Sequence, residues 1–489
     1  MFDDEDIEDY YDEEQDRKAA IERYEEMLKT HETAYFDSAE FEYIIDHYTE
    51  NNQLRRSRQA LEMAMEQHPE SSVLKIKEAR QYLLEGQADN AFQIMQHIER
   101  DEDDAPDYFL VLGSCLAVLG ESKSALESYF NALPYFDEDE KFDLYNAIAF
   151  EYQRLQKYDL ALDFYQRALS LALDENNERG NLYQEIRSCY LNQGRRDDAV
   201  AFFQRLVDQN PHDSEAWANI GECYQQTEDI EQSIDPFEFA LAINPLDIVT
   251  NVHLADTYYD LGRYQEAIDT LNEALRQGVE HSAIHSALGE SYYALHDIQN
   301  AETNFKKAIE LTEENGIAWD GLGHVNFSRE DYKTALKYFE KASKLQPWVS
   351  QYLYSISTCH LKLGQYDLAM KCLHKIQEMY PQDPDSYYYI ADLYGEMDQV
   401  DDAIKTILYG LQQTNNDSTL LYLLAYAYFV KGDKPSGLEA LDRALDANYE
   451  AWPDFIDYDR DLLLDDTDIV NLLEQHRIQH EQDPGNTIS

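Results

Sequence analysis

The chain has 489 residues, with 39 Lys plus Arg against 98 Asp plus Glu and a formal net charge of -59. A field of that sign repels nucleic-acid phosphates and anionic lipid headgroups, so neither nucleic acid nor a membrane is an expected partner; the charge either keeps a long chain soluble or marks a basic protein or peptide as the partner. Hydrophobic residues make up 44% and aromatics 12%, which is ample apolar material for an ordered fold.

The opening, MFDDEDIEDYYDEEQD, lacks the positive n-region and apolar core of a secretory signal, and no later run approaches the roughly 18 apolar residues of a membrane span. A cytoplasmic protein is expected. Residues 1–17 read as an acidic, disordered tail: the first 16 hold ten carboxylates and no basic side chain. Residues 18–37 follow as an amphipathic capping helix that covers the exposed end of what comes next.

From Ser38 the sequence repeats. Units start at Ser38, Ser72, Pro106, Phe142, Gly180, Ser214, Ile248, Ser282, Gly316, Ser350, Pro384 and Ser418, twelve in all, with a period of 34 from Gly180 onward and short insertions before Phe142 and Gly180. Position seven is Ile or Leu in all units but one, where it is Glu78, and position eleven is Tyr in nine, one helical turn further along the same face. Position eight is small in ten units (Gly113, Gly221, Ala255, Gly289, Gly323) and position twenty is Ala in nine. Both mark close approach of two helices. Position twenty-four is large and apolar throughout, as in Phe203, Phe237, Phe305 and Phe339. Glycines such as Gly86, Gly194 and Gly262 fall where a left-handed helix cap is needed, and prolines such as Pro211, Pro245 and Pro347 stop the second helix.

This order of residues resembles the tetratricopeptide repeat family, most fully in the units with Trp217, Ile220, Gly221, Tyr224, Phe237, Ala240 and Pro245 and with Trp319, Leu322, Gly323, Ala335, Phe339, Ala342 and Pro347. The resemblance covers residues 38–451 and implies an all-α fold, a right-handed superhelical solenoid of about twelve helical hairpins with capping helices at both ends. Glu78, Arg187, Gly410 and Gly437 depart from the pattern, and looser packing is expected around them. Residues 452–477 are similar to the closing segment of such arrays, and 478–489 read as a second disordered tail. The run Asp457, Asp459, Asp461, Asp465 and Asp468 imitates a calcium loop, but Leu462 replaces the turn glycine and Asp468 the bidentate Glu, so no metal is expected.

By the same resemblance, positions two, five, nine, twelve and thirteen of each first helix line a concave groove. The helical spacing by itself puts five, nine and twelve on one face. Those positions carry Tyr259, Tyr293 and Phe327, then Tyr354, Tyr388 and Tyr422 with Tyr426 and Phe429, and the carboxylates Glu222, Asp256, Glu290 and Asp392. Tyr stacks on cationic side chains and hydrogen-bonds backbone at its tip, so a peptide with basic and apolar residues is the expected ligand. The other reading of the rings is packing against neighbouring helices. Position five carries no Lys, so the carboxylate clamp by which some family members hold chaperone tails is missing.

No Walker loop, dinucleotide glycine fingerprint, HExxH helix or GxSxG elbow occurs, and the His residues are scattered along the array, so neither an enzyme nor a cofactor is expected. The five cysteines include no CxxC pair, and four of them share position ten, where their size suits the packing. The expected function is an interaction scaffold or adaptor. The alternatives are a self-assembling structural protein and a regulatory subunit of an enzyme.

Overall fold

A computed structural model describes residues 4–30, 33–98, 105–172, 178–225, 229–456 and 458–482. Among the described residues there are helices and short 3-10 turns but no strand. The chain forms two compact units, Met1–Ile243 and Asn244–Ser489.

The first unit opens with α1 (Asp4–Thr30) and continues as six pairs: α2 (Ser38–Glu50) with α3 (Leu54–Gln67), α4 (Ser72–Leu84) with α5 (Ala88–Gln96), α6 (Ala105–Val118) with α7 (Ser122–Ala132), α8 (Phe142–Arg154) with α9 (Tyr158–Leu171), α10 (Glu178–Asn192) with α11 (Arg196–Gln209), and α12 (Ser214–Gln225) with α13 (Ile234–Ile243). The second unit holds six more: α14 (Ile248–Asp260) with α15 (Tyr264–Arg276), α16 (Ser282–Ala294) with α17 (Ile298–Leu311), α18 (Gly316–Ser328) with α19 (Tyr332–Leu345), α20 (Ser350–Lys362) with α21 (Tyr366–Met379), α22 (Pro384–Glu396) with α23 (Val400–Gln413), and α24 (Ser418–Lys431) with α25 (Lys434–Ala447). It closes with α26 (Trp452–Ile456), α27 (Arg460–Leu464) and α28 (Thr467–Gln482). Within each unit a helix packs on its own partner and on the next pair. No pair could hide its apolar face alone, so each is stable through its neighbours.

Local chemistry explains each pair. Position twenty-four supplies the core: Phe203, Phe237, Phe305 and Phe339 are fully buried, each worth about 1.5–3 kcal/mol of apolar burial. Position eight gives them room, because a Cβ on Gly221 would lie 2.5 Å from the Phe237 ring and one on Gly289 would lie 2.5 Å from Phe305. At position fifteen the chain turns through the left-handed region, for example at Gly262 with φ +71. Position four ties down the turn before it: Trp217 Nε1 donates to the Pro211 carbonyl at 3.1 Å, Trp319 Nε1 to Glu313 at 2.8 Å, and the Tyr387 hydroxyl to Pro381 at 2.8 Å.

Several expectations need correction. Residues 4–17 are helical, as the first half of α1, and are not a disordered tail. Likewise α28 runs to Gln482, past the expected boundary at 477. Residues 1–3 and 483–489 lie outside the described residues. Gly410 and Gly437 do not loosen their pairs: a Cβ at Gly410 would lie 2.7 Å from Tyr387, and one at Gly437 would lie 2.6 Å from Phe429, so aromatic rings fill both places. Arg187 is also accommodated, since its guanidinium donates to Asn219 and pairs with Glu222 at 2.6 Å.

Candidate functional site

The first helices of neighbouring pairs touch, as α14 does α16 and α16 does α18, so their side chains form a continuous face along each unit. On α14, α16 and α18 this face gathers Asp256, Tyr259, Glu290, Tyr293, Asp320 and His324. Asp256 and Glu290 are open to solvent and, among the described residues, neither accepts a hydrogen bond nor pairs with a cation. Helix walls nevertheless strip away much of their hydration. Desolvation, then the repulsion of Asp260, raises Asp256 to about 6. Desolvation, then Asp256 and Asp320, raises Glu290 to about 7, with His324 opposing.

Tyr259 is 37% exposed and lies 5.1 Å from Tyr264, while Tyr293 is half-buried and 6.1 Å from His324. Phe327 is half-buried against Tyr332. Sequence reasoning missed Asp320 and His324, whose side chains lie 3.3 Å apart. They stand at positions five and nine of the unit from Gly316, and that register was the signal available for them.

The other expected groove residues divide. Tyr354 is only 8% exposed and donates to Asp383 at 2.5 Å, the carboxylate that caps α22, so it is a structural brace. Tyr422 is buried, with its hydroxyl on the Asn448 carbonyl at 2.7 Å and its ring 5.4 Å from Phe455. Phe429 is buried over Gly437. Glu222 is half-buried and neutralised by Arg187. These four do not form an open groove. Tyr388 and Tyr426 are half-buried, and Asp392 is exposed with its carboxyl above the usual range through desolvation and Glu396.

The first unit holds a depression of about 710 Å³ that the aromatic ladders did not indicate. It is lined by Val118, Phe142 and Phe150 together with Asn146, Asn181 and Glu185. Phe150 is 49% exposed on α8 at position nine, where Asp or Glu stands in three of the six repeats of the second unit. The signal was an apolar residue at an inward position. Cys115, Cys189, Cys223 and Cys359 are buried with their thiols pushed up by desolvation, so their protons stay on. Among the described residues no group of three or more His, Cys, Asp or Glu is arranged to hold a metal, and no helix is long and apolar enough to cross a membrane. Asp457, part of the calcium-like run, lies outside the described residues; Asp468 pairs with Lys434 at 2.6 Å.

Repeat geometry and sequence agree on the class. Tetratricopeptide repeat families match residues 154–220, 190–235, 246–314, 286–347 and 388–454, and the family described as anaphase-promoting complex, cyclosome, subunit 3 matches 328–410. The chain belongs to the tetratricopeptide repeat family. It is 29% identical over 86 residues to the photosystem I assembly protein Ycf3 of Prochlorococcus marinus subsp. pastoris, a match covering 17% of this chain and 49% of that protein. The chain thus spans about half the length of the curated relative it matches. Among solved structures it is similar to the APC/C hetero-tetramer Cut9–Hcn1 (18% identity, 87% of this chain and 96% of that one, TM-score 0.43). It is also similar to a monomeric IFIT1 mutant with Gppp-AAAA (16%, 70% and 95%, TM-score 0.41).

Proposed function

We propose that the protein is a scaffold that holds a partner polypeptide along the first helices of its repeats, and that the face of α14, α16 and α18 receives a Lys or Arg of that partner. One observation carries the reading. Asp256 and Glu290 occupy the same position in consecutive repeats, are reachable by solvent, form no ion pair among the described residues, and the charge of Asp256 repels that of Glu290. A cationic side chain placed between them relieves that repulsion and, in a partly desolvated site, gains more than at an open surface. Tyr259 and Tyr293 flank the place with rings suited to the aliphatic stem or guanidinium. The depression on the first unit, with its apolar lining residues, suits an apolar stretch of such a partner.

The test uses the full chain and two synthetic peptides of equal length, one with Arg and Tyr residues and one with the Arg replaced by citrulline. The Arg peptide should bind at least about tenfold more tightly, and the D256N/E290Q variant should lose that preference while keeping its helicity. Equal binding of both peptides by the native chain would exclude the cationic reading.

A further inference from the structure

The inner positions of the last two repeats are already occupied by the chain itself. After α25 the backbone makes a 3-10 turn (Tyr449–Ala451), enters α26 and arrives at Tyr458. Phe455 is buried against Tyr422 of α24. The Tyr458 ring stacks on Tyr426 at 5.4 Å and 25°, and lies 6.5 Å from Tyr388 on α22. Tyr388 and Tyr426 stand at positions five and nine, which face a ligand if the register extends to the end of the array.

A segment that only closes a row of repeats has to cover the last pair. That task falls to α28, which packs on α25 and is pinned by Lys434 to Asp468 at 2.6 Å and by His476 to Asp442 at 2.8 Å. Tyr458 reaches one pair further back, to α22, which sealing the end does not require. Its ring, itself half-buried, meets the half-buried rings of Tyr388 and Tyr426 and lies edge-on to the core residue Phe455 at 6.3 Å.

We infer that Tyr458 is a strap held in cis: it fills the place of a partner's aromatic side chain on Tyr388 and Tyr426, and these rings become available when it swings away while the repeats stay folded. The inference stands apart from the charge of any partner, because it concerns rings on α22 and α24 and not the carboxylates of α14 and α16.

The experiment compares the full-length native chain with Tyr458→Ala and Tyr458→Phe. Surface tyrosines are modified with tetranitromethane and the sites mapped by mass spectrometry, with hydrogen exchange measured in parallel. In Tyr458→Ala, modification of Tyr388 and Tyr426 should rise by about fivefold or more, with Tyr259 unchanged and the amides of α22 and α24 as protected as in the native chain. Tyr458→Phe keeps the ring and should leave both rates near native. Unchanged Tyr388 and Tyr426 rates in Tyr458→Ala would overturn the strap. So would loss of amide protection across α24, because Tyr458 would then be part of the closing structure.

Discussion

Asp256 and Glu290 have neighbours of their own sign and, among the described residues, form no ion pair. The consequence for stability follows from proton linkage. Their folded values lie above those of an unfolded chain, so between about pH 4 and 7 the folded state holds more protons and its stability falls as pH rises. Glu290→Gln removes that penalty. Its melting temperature should exceed that of the native chain by about 1–3 °C at pH 8 and match it near pH 4, an effect kept small by solvent screening. A scan over pH that finds the two chains parallel throughout would show that Glu290 ionises normally. Register alone decides the face on which these two carboxylates stand, so the sequence could bring them together. It misplaced Tyr354, Tyr422 and Phe429 because the covering groups, Asp383, Asn448 with Phe455, and Gly437, belong to other segments. Helical spacing says which way a ring points and is silent about what lands on it.

Within a helix pair, positions eight and twenty-four share one space. Gly113, Gly221, Gly289 and Gly323 face Tyr129, Phe237, Phe305 and Phe339, whereas Ala255, Ala391 and Ala425 stand in pairs whose position twenty-four is Leu271, Ile407 and Leu441. A ring takes the volume that a methyl group otherwise fills. The departures are Ala149 with Tyr165 and Arg187 with Phe203; the first ring sends its hydroxyl to Gln153 at 2.6 Å, and Arg187 turns toward Asn219 and Glu222. Gly221→Ala should therefore cost about 1–2 kcal/mol, overpacking outweighing the better helix propensity of Ala. Adding Phe237→Leu should recover part of that loss, giving a favourable coupling in a double-mutant cycle followed by chemical denaturation. Additive single effects would mean that the two positions do not share the space. Pair boundaries were legible because caps and turns recur: helices begin at Ser38, Ser72, Phe142, Ser214 and Ile248, where the repeat was counted to start. The terminal helices were less so, since α1 and α28 have no second copy to compare with, and acidic composition disguised the first half of α1.

At the scale of the whole molecule, the two units use their first-helix faces differently. The first presents an apolar depression at Phe150 and Val118, and the second presents paired carboxylates and then a stretch closed by its own Tyr458. On the proposed reading, the negative potential of a net charge of -59 would draw in a basic segment from a distance, while the local groups would decide where its cations rest. That division was only half visible in the sequence, where the total charge and the ladder of acids could be read but not which acids were already neutralised. Glu222 with Arg187 is the case in point. The most direct measurement is calorimetric titration of the Arg-containing peptide into the full chain near pH 6.5, repeated in buffers of different ionisation enthalpy. Binding should release protons, because a cation between Asp256 and Glu290 favours their ionised forms, and Glu290→Gln should abolish most of the release. Binding heats that do not depend on the buffer, or proton release that persists unchanged in Glu290→Gln, would contradict a cation-receiving site on α14 and α16.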